Sequence, residues 1–257
     1  MKRRMSSKVQ LVVLFLLIVF SAGCATTYNP ATGRNEAIFI NTSSEVAIGN
    51  SAASQIAQKY KISEDRKVIE RIDAIGKKIA ATSDRRDLEY KFYVIEDETL
   101  NAFTIPGGHV YVFRGLYDKL DDDELAAVMA HEIGHVAARH IVKKMQASLG
   151  YQLLSTVALI AYTSGQDDKK SRNAGYVAYA GATALNLVQL GYSRQDEYEA
   201  DSLAVKYTKA AGFEPDGMKR ALEVLKAEEK KSGIPVPYIL RSHPYIDQRI
   251  DRLGTST

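Results

Sequence analysis

Two histidines four residues apart, with a glutamate after the first, are the residues of this chain best suited to chemistry: His131-Glu132-Ile133-Gly134-His135. On a helix, positions four apart project from one face, one turn above the other. Imidazoles so placed meet a single zinc ion at about 2.0–2.1 Å. Glu132 then stands within reach of a water that the metal activates, as its general base. A catalytic zinc takes three protein ligands and keeps one place open, so another ligand must come from elsewhere. His140 is close in sequence, but five residues past His135 it lies about 140° around a continuous helix, which suits a supporting role and not ligation. Glu197 and Asp201, four apart in Glu197-Tyr198-Glu199-Ala200-Asp201, share a face of another helix. One carboxylate suits the metal, and the other suits the ring N–H of a ligating histidine. Glu199 points elsewhere.

These residues need elements to hold them. Asp121, Asp122 and Asp123 place negative charge where a helix dipole favours it, and predict a long helix from about Asp122 to Leu149. The carboxylate pair falls on a helix from about Ser193 to Ala211, ending near Gly212. Earlier in the chain, Ser43 or Ser44 is placed to cap a helix to about Tyr60. A second helix runs from Glu64 to Ala81, with Val68, Ile69, Ile72, Ile75 and Ile79 on one face. Leu88 to Glu96 alternates apolar and polar residues, as a strand does. Asn101 to Ile105, then Pro106-Gly107-Gly108, then His109 to Phe113 reads as strand, tight turn, strand. Pro215 opens a helix to about Lys231, and a last helix follows Pro244. The class expected is α+β and mainly α-helical, with one small sheet. Residues 150–190 read as two apolar helices joined by a charged loop, either a buried hairpin or a lid over the site.

The 257 residues carry a formal charge of +3. Four of the basic residues, Lys2, Arg3, Arg4 and Lys8, lie in the first 23 positions, which hold no acid. Beyond them 30 basic residues face 31 acidic ones. No basic face argues for nucleic acid. Basic residues, the apolar run Leu11 to Phe20 and the small residues Ser21, Ala22 and Gly23 form the pattern of an export signal over 1–23. Cys24 is the only cysteine, so no internal disulfide is possible. Its position resembles the lipobox of bacterial lipoproteins, although Ser21 stands where leucine is usual. That resemblance implies a lipid anchor at Cys24, and Ala25 after it implies the outer membrane, with residues 24–42 as an irregular tether.

Taken together, the motifs resemble the gluzincin peptidase family M48, and within it the secreted or lipid-anchored bacterial members. The resemblance covers about Ser43 to Leu253, with a peptidase domain expected over 43–257. It rests on the histidine motif, on Asn101 to Gly108, on the acidic Asp121 to Glu124, on Ser193-Arg194 before Glu197 to Asp201, and on Ser242-His243-Pro244 with Arg249 beyond. It implies a zincin-like fold, one zinc per chain, and Glu197 as third ligand with Asp201 holding a ligand histidine. It also implies Asn101, Ala102, Phe103 and Thr104 as an edge strand that binds a peptide by strand addition. It places His243 near the metal, as an inhibitory ligand or a stabiliser of the transition state. Arg249 is weighed evenly against an ordinary exposed helical arginine.

The expected activity is zinc-dependent hydrolysis of peptide bonds in unfolded or misfolded envelope proteins, on the periplasmic side of a bacterial membrane. The alternative is a lipid-anchored chaperone or binding module whose zinc is structural or whose site is latent.

Overall fold

The computed structural model describes residues 26–148, 186, 191–232 and 241–254. The expected export signal, Cys24 and nearly all of 150–190 lie outside the described residues.

A three-stranded mixed sheet, in the order β3-β5-β4, divides two cores. Strand β3 (Lys91–Ile95) runs parallel to β5 (His109–Phe113), and β4 (Ala102–Ile105) runs antiparallel to it. Gly107 and Gly108, at φ 81° and 87°, make the turn between β4 and β5 in a conformation that other residues resist. Side chains alternate across the sheet. Phe92, Val94, Ala102, Val110 and Val112 enter one core with helices α2 (Arg66–Ala80) and α4 (Asp122–Ala137). Ile95, Phe103, Ile105, Tyr111 and Phe113 enter the other, with α1 (Thr42–Lys59) and Ile141, Val142 and Met145. A short helix, α3 (Arg114–Tyr117), leads from the sheet toward α4. The fold is α+β and mainly helical.

Capping differs in detail from expectation. Asn41 caps α1 through Ser44 N, and Asp65 caps α2 through Lys67 N. Val68, Ile72, Ile75 and Ile79 of α2 are buried, but Ile69 is 42% exposed, because it sits beside the apolar stripe and not on it.

The expected helix from Asp122 to Leu149 is in fact two. Helix α4 ends at Ala137, Arg139 takes a left-handed φ of 56°, and residues 140–148 are helical again. Such a conformation costs a side-chain-bearing residue roughly 1–2 kcal/mol. Arg139 is held there by Ile40 O at 3.4 Å and by the buried Glu45 at 4.0 Å. His140 is therefore not about 140° around one helix from His135 but turned back against it, still outside the group of donors, in keeping with a supporting role.

The expected irregular tether is folded over most of its length. Strands β1 (Thr26–Asn29) and β2 (Arg34–Ala37) form an antiparallel hairpin. Asn29 Oδ1 accepts from Ala31 N at 3.0 Å and so folds the turn, and Asn29 Nδ2 donates to Glu36 at 2.9 Å. Three helices complete the frame: α5 (Arg194–Ala211), α6 (Gly217–Ser232) and α7 (Ile246–Gly254). Among the described residues, no helix is long and apolar enough to cross a membrane.

Candidate metal centre

Helix α4 begins with a full capping box, in which Asp121 accepts from Glu124 N and Glu124 accepts from Asp121 N. Every residue from Glu124 to Ala137 is buried. His131, Glu132 and His135 are thus carried by a helix that its neighbours enclose. Helix α5 has its own capping box, between Ser193 and Asp196, and its first turn brings in Glu197. The two helices approach closely at Gly134, where a Cβ would stand 3.1 Å from Ala200 O and 3.2 Å from Leu203 Cβ.

Four buried side chains converge there: His131, His135, Glu197 and His243, with one donor atom each, all within 4.8 Å of one another. His131 Nε2 and His135 Nε2 are 3.0 Å apart, and each lies 3.5 Å from a Glu197 oxygen. His243 Nδ1 is 3.2 Å from both His131 Nε2 and Glu197 Oε1, and its Nε2 is 3.3 Å from Glu132 Oε1. Glu132 Oε2 is buried with no hydrogen-bond partner among the described residues.

His131 Nδ1 lies 2.9 Å from Asp201 Oδ1 and 3.3 Å from Arg249 Nη2. Only the carboxylate can accept its proton, so a neutral His131 turns a bare Nε2 toward His135 and Glu197. Two imidazole nitrogens and a carboxylate facing one point form the donor set of a divalent transition metal, zinc among them. The residues present fit such an ion.

The electrostatics agree. Burial opposes charge on His131, as does Arg249, but hydrogen bonds to Asp201 and Glu197 outweigh both and raise its pKa to about 9. Burial pushes His135 well below its usual value. Burial also opposes charge on Glu197, yet His243, Arg249 and the two histidines hold it well below the ordinary range. The centre therefore favours positive charge, which a bound cation would supply in place of a proton. Burial raises Glu132, against the pull of His243 and His131, in the sense a general base requires.

Asp201 lies against the Nδ1 side of His131. Arg249 is not an exposed helical arginine: it is 1% exposed. It grips Asp201 through Nε and Nη2 at 2.8 and 2.7 Å, and reaches Glu197 Oε2 through Nη1 at 2.8 Å. One guanidinium thus joins both carboxylates. His243 is delivered by a clasp between two segments, Tyr192 N donating to Ser242 O at 3.0 Å. Tyr192, which the motif reading passed over, lies flat on His135 with ring centroids 3.8 Å apart. Its one sequence signal was its place beside the cap Ser193. Val128, Met218, Leu222 and Leu225 form an apolar wall of a small pocket beside Glu132 and His243.

Asn101 to Thr104 are not among the converging donors. Strand β4 is one of the two outer strands of its sheet and packs near α4, and all four of these side chains are buried.

Two histidines and a glutamate on one helix, with a carboxylate from α5, form a group that could hold a metal ion as metallopeptidases do. A model of Peptidase family M48 matches residues 67–257, and the chain belongs to that family. It is similar to the Beta-barrel assembly-enhancing protease of Escherichia coli (strain K12), with 27% identity over 228 residues, 86% of this chain and 45% of that protein. It is similar to Metalloprotease YcaL of the same organism, 28% identical over 253 residues, 93% of this chain and 95% of the relative. The Mitochondrial metalloendopeptidase OMA1 of Schizosaccharomyces pombe is 32% identical over 184 residues, 71% of this chain and 51% of that protein. The chain thus spans about half the length of several relatives that it matches.

Proposed function

We propose that this protein is a zinc-dependent endopeptidase with one zinc per chain, held by His131, His135 and Glu197. The observation that carries the reading is the convergence of two Nε2 atoms and a carboxylate next to Glu132, whose buried Oε2 has no hydrogen-bond partner among the described residues. Bound there, zinc supplies Lewis acidity toward a water and a scissile carbonyl. Glu132 takes the proton from the attacking water and passes it to the leaving amine. Asp201 holds His131 in the tautomer that ligates, and Arg249 holds Asp201 and Glu197 apart at fixed positions. His243 donates from Nε2 to the carbonyl oxygen as negative charge develops on it. An extended peptide adds to the edge of β4 along Asn101 to Thr104.

The substrates we propose are unfolded or misfolded polypeptides of a bacterial envelope. Support comes from a relative named for enhancing β-barrel assembly and from the export pattern of residues 1–23. In this reading Cys24 is acylated and anchors the 43–257 domain on the periplasmic side of the outer membrane, with the hairpin as most of the link. Mass spectrometry of the mature N-terminus tests the anchor: an unmodified Cys24, or an intact Met1, overturns it.

The activity is tested by zinc content and casein cleavage, wild type beside Glu132→Gln. The variant keeps its zinc and loses at least about 100-fold in rate, the usual scale for a general base. Full activity in that variant sinks the proposal.

A second reading is favoured by one distance set. His243 Nδ1 is 3.2 Å from both His131 Nε2 and Glu197 Oε1, closer than the 3.5 Å between His131 Nε2 and Glu197 Oε2. As a fourth ligand it would close the site and leave the protein latent. Higher cleavage by His243→Ala than by wild type supports latency; lower cleavage supports His243 as the oxyanion donor.

A further inference from the structure

Four of the five histidines in the chain gather at this centre, and three of them have been accounted for. The fourth, His140, is brought against His135 by the break at Arg139. His135 Nδ1 and His140 Nδ1 are 2.8 Å apart, and His140 Nε2 is 3.0 Å from Glu199 Oε2. Glu199 in turn receives Arg34 Nη2 of strand β2, at 2.7 and 3.0 Å from its two oxygens. We propose that Arg34, Glu199 and His140 form a hydrogen-bonded line that sets the ring orientation and tautomer of His135, which makes the N-terminal hairpin part of the metal centre. The proposal rests on the reading of His135 as a ligand.

The direction of the line follows from what each atom can do. A carboxylate only accepts, so the proton between Glu199 and His140 sits on His140 Nε2. Neutral His140 then has a bare Nδ1, and the proton in the 2.8 Å contact belongs to His135 Nδ1. Neutral His135 is left with its lone pair on Nε2, the atom that faces His131 and Glu197. With His135 ligating through Nε2, its own proton sits on Nδ1; a proton on His140 Nδ1 would point at it, and a bare His140 Nε2 would leave Glu199 without a donor. Tyr192 limits rotation of the same ring. His135 lies 3.8 Å from its centroid and Lys144 Nζ lies 4.1 Å from it, so the two must occupy opposite faces.

The two ligand histidines are therefore held differently. His131 meets a carboxylate directly, deep between α5 and α7. His135 meets its carboxylate through an imidazole, and that carboxylate is 15% exposed and pairs with Arg34, whose side chain is 53% exposed. The hairpin is fastened to the same place by a second pair, Glu36 to Lys143 at 2.9 Å. Its strands belong to the segment that leads away from Cys24, so the line ties that segment to a ligand.

Zinc affinity of the full chain, measured by competition with a chromophoric chelator, tests the line without reference to turnover. His140→Phe keeps a ring but offers no acceptor; about 10–100-fold weaker zinc binding is expected, the usual effect of removing a ligand's hydrogen-bond partner. His140→Asn places an amide oxygen near the former Nδ1 and recovers most of the loss. Glu199→Ala weakens binding by about 10-fold, the low end of the same range, and Arg34→Ala acts in the same direction by less. If His140→Phe does not fold, Glu199→Ala decides, because Glu199 is partly exposed and its truncation leaves no bulk to accommodate. Unchanged affinity in Glu199→Ala, or an Asn variant as weak as the Phe variant, overturns the proposal. His131→Ala separates the two layers. If that variant loses zinc while His140→Phe does not, only the line falls. If it too binds as wild type, the metal reading itself falls.

Discussion

Arg249 is a residue whose charge cannot be removed quietly. Its guanidinium is enclosed and answers two carboxylates, Asp201 and Glu197. Burial works against its charge, but Asp201 and Glu197 raise its pKa above the ordinary arginine value. In Arg249→Met both acids stay buried and lose their partner. Deleting one side of a buried pair costs about 3–5 kcal/mol. The loss is expected in full in chelator-treated protein and to be smaller with zinc, because a cation at the centre partly replaces the missing charge. Chemical denaturation with and without zinc checks this; equal losses in the two conditions would show that Glu197 does not face the metal.

At the scale of elements, the site depends on the distance between α4 and α5. Glycine in the middle of a helix is ordinarily destabilising by about 0.5–1 kcal/mol relative to alanine. Gly134 accepts that cost because the backbone of α5 passes within reach of where its Cβ would be. Gly134→Val adds a branched side chain to this contact, and overpacking of this kind costs about 1–3 kcal/mol. The larger effect is expected on the metal: pushing α5 outward moves Glu197 away from two histidines fixed on α4. Zinc content should fall more than stability does, read by chelator competition beside a urea titration. Gly134→Val that retains wild-type affinity would show that the helices can part without disturbing the donors.

The whole molecule contributes two further dependences. A ligand that binds only the folded state at 100 times its Kd adds about 2.7 kcal/mol. For a chain of this size each kcal/mol shifts Tm by about 2–4 °C. Zinc is therefore expected to raise the melting temperature by about 5–10 °C over protein stripped with a chelator, and magnesium to leave it unchanged. Acid acts through a second cluster, away from the metal, where Arg85 joins Glu45 of α1 to Asp87. Burial would raise Asp87, yet hydrogen bonds and charge from Arg85, with the Thr42 hydroxyl, hold it below the usual carboxylate range. A carboxyl lowered in the folded state stabilises fully above its unfolded pKa of about 3.9 and loses that contribution as pH falls through the folded value. Stability should thus decline below about pH 4, with a shallower decline in Asp87→Asn; identical pH profiles would remove Asp87 from the account.

Local chemistry determined much of this protein in its sequence. Four-residue spacing puts His131 with His135, and Glu197 with Asp201, on shared helix faces in any fold that makes those helices. Acidic and hydroxyl caps start α4 and α5 where the motifs need them, and Gly107-Gly108 turns β4 into β5. The tertiary structure decided what spacing cannot carry. A periodic pattern does not reveal a single left-handed residue, because the pattern resumes on both sides of Arg139, and that residue turns His140 back onto His135. Nor does it reveal partners from distant segments: Arg249 reads as one more helical arginine until α7 packs beside α5, and Arg34 as a loop charge until the hairpin meets Glu199. His131, His135 and the Glu197–Asp201 pair were legible in order, since helix geometry is local, whereas His243 came to the metal only through the family resemblance. Those that orient the donors became visible only when the chain closed on itself, since burial and long-range hydrogen bonds have no period in a sequence.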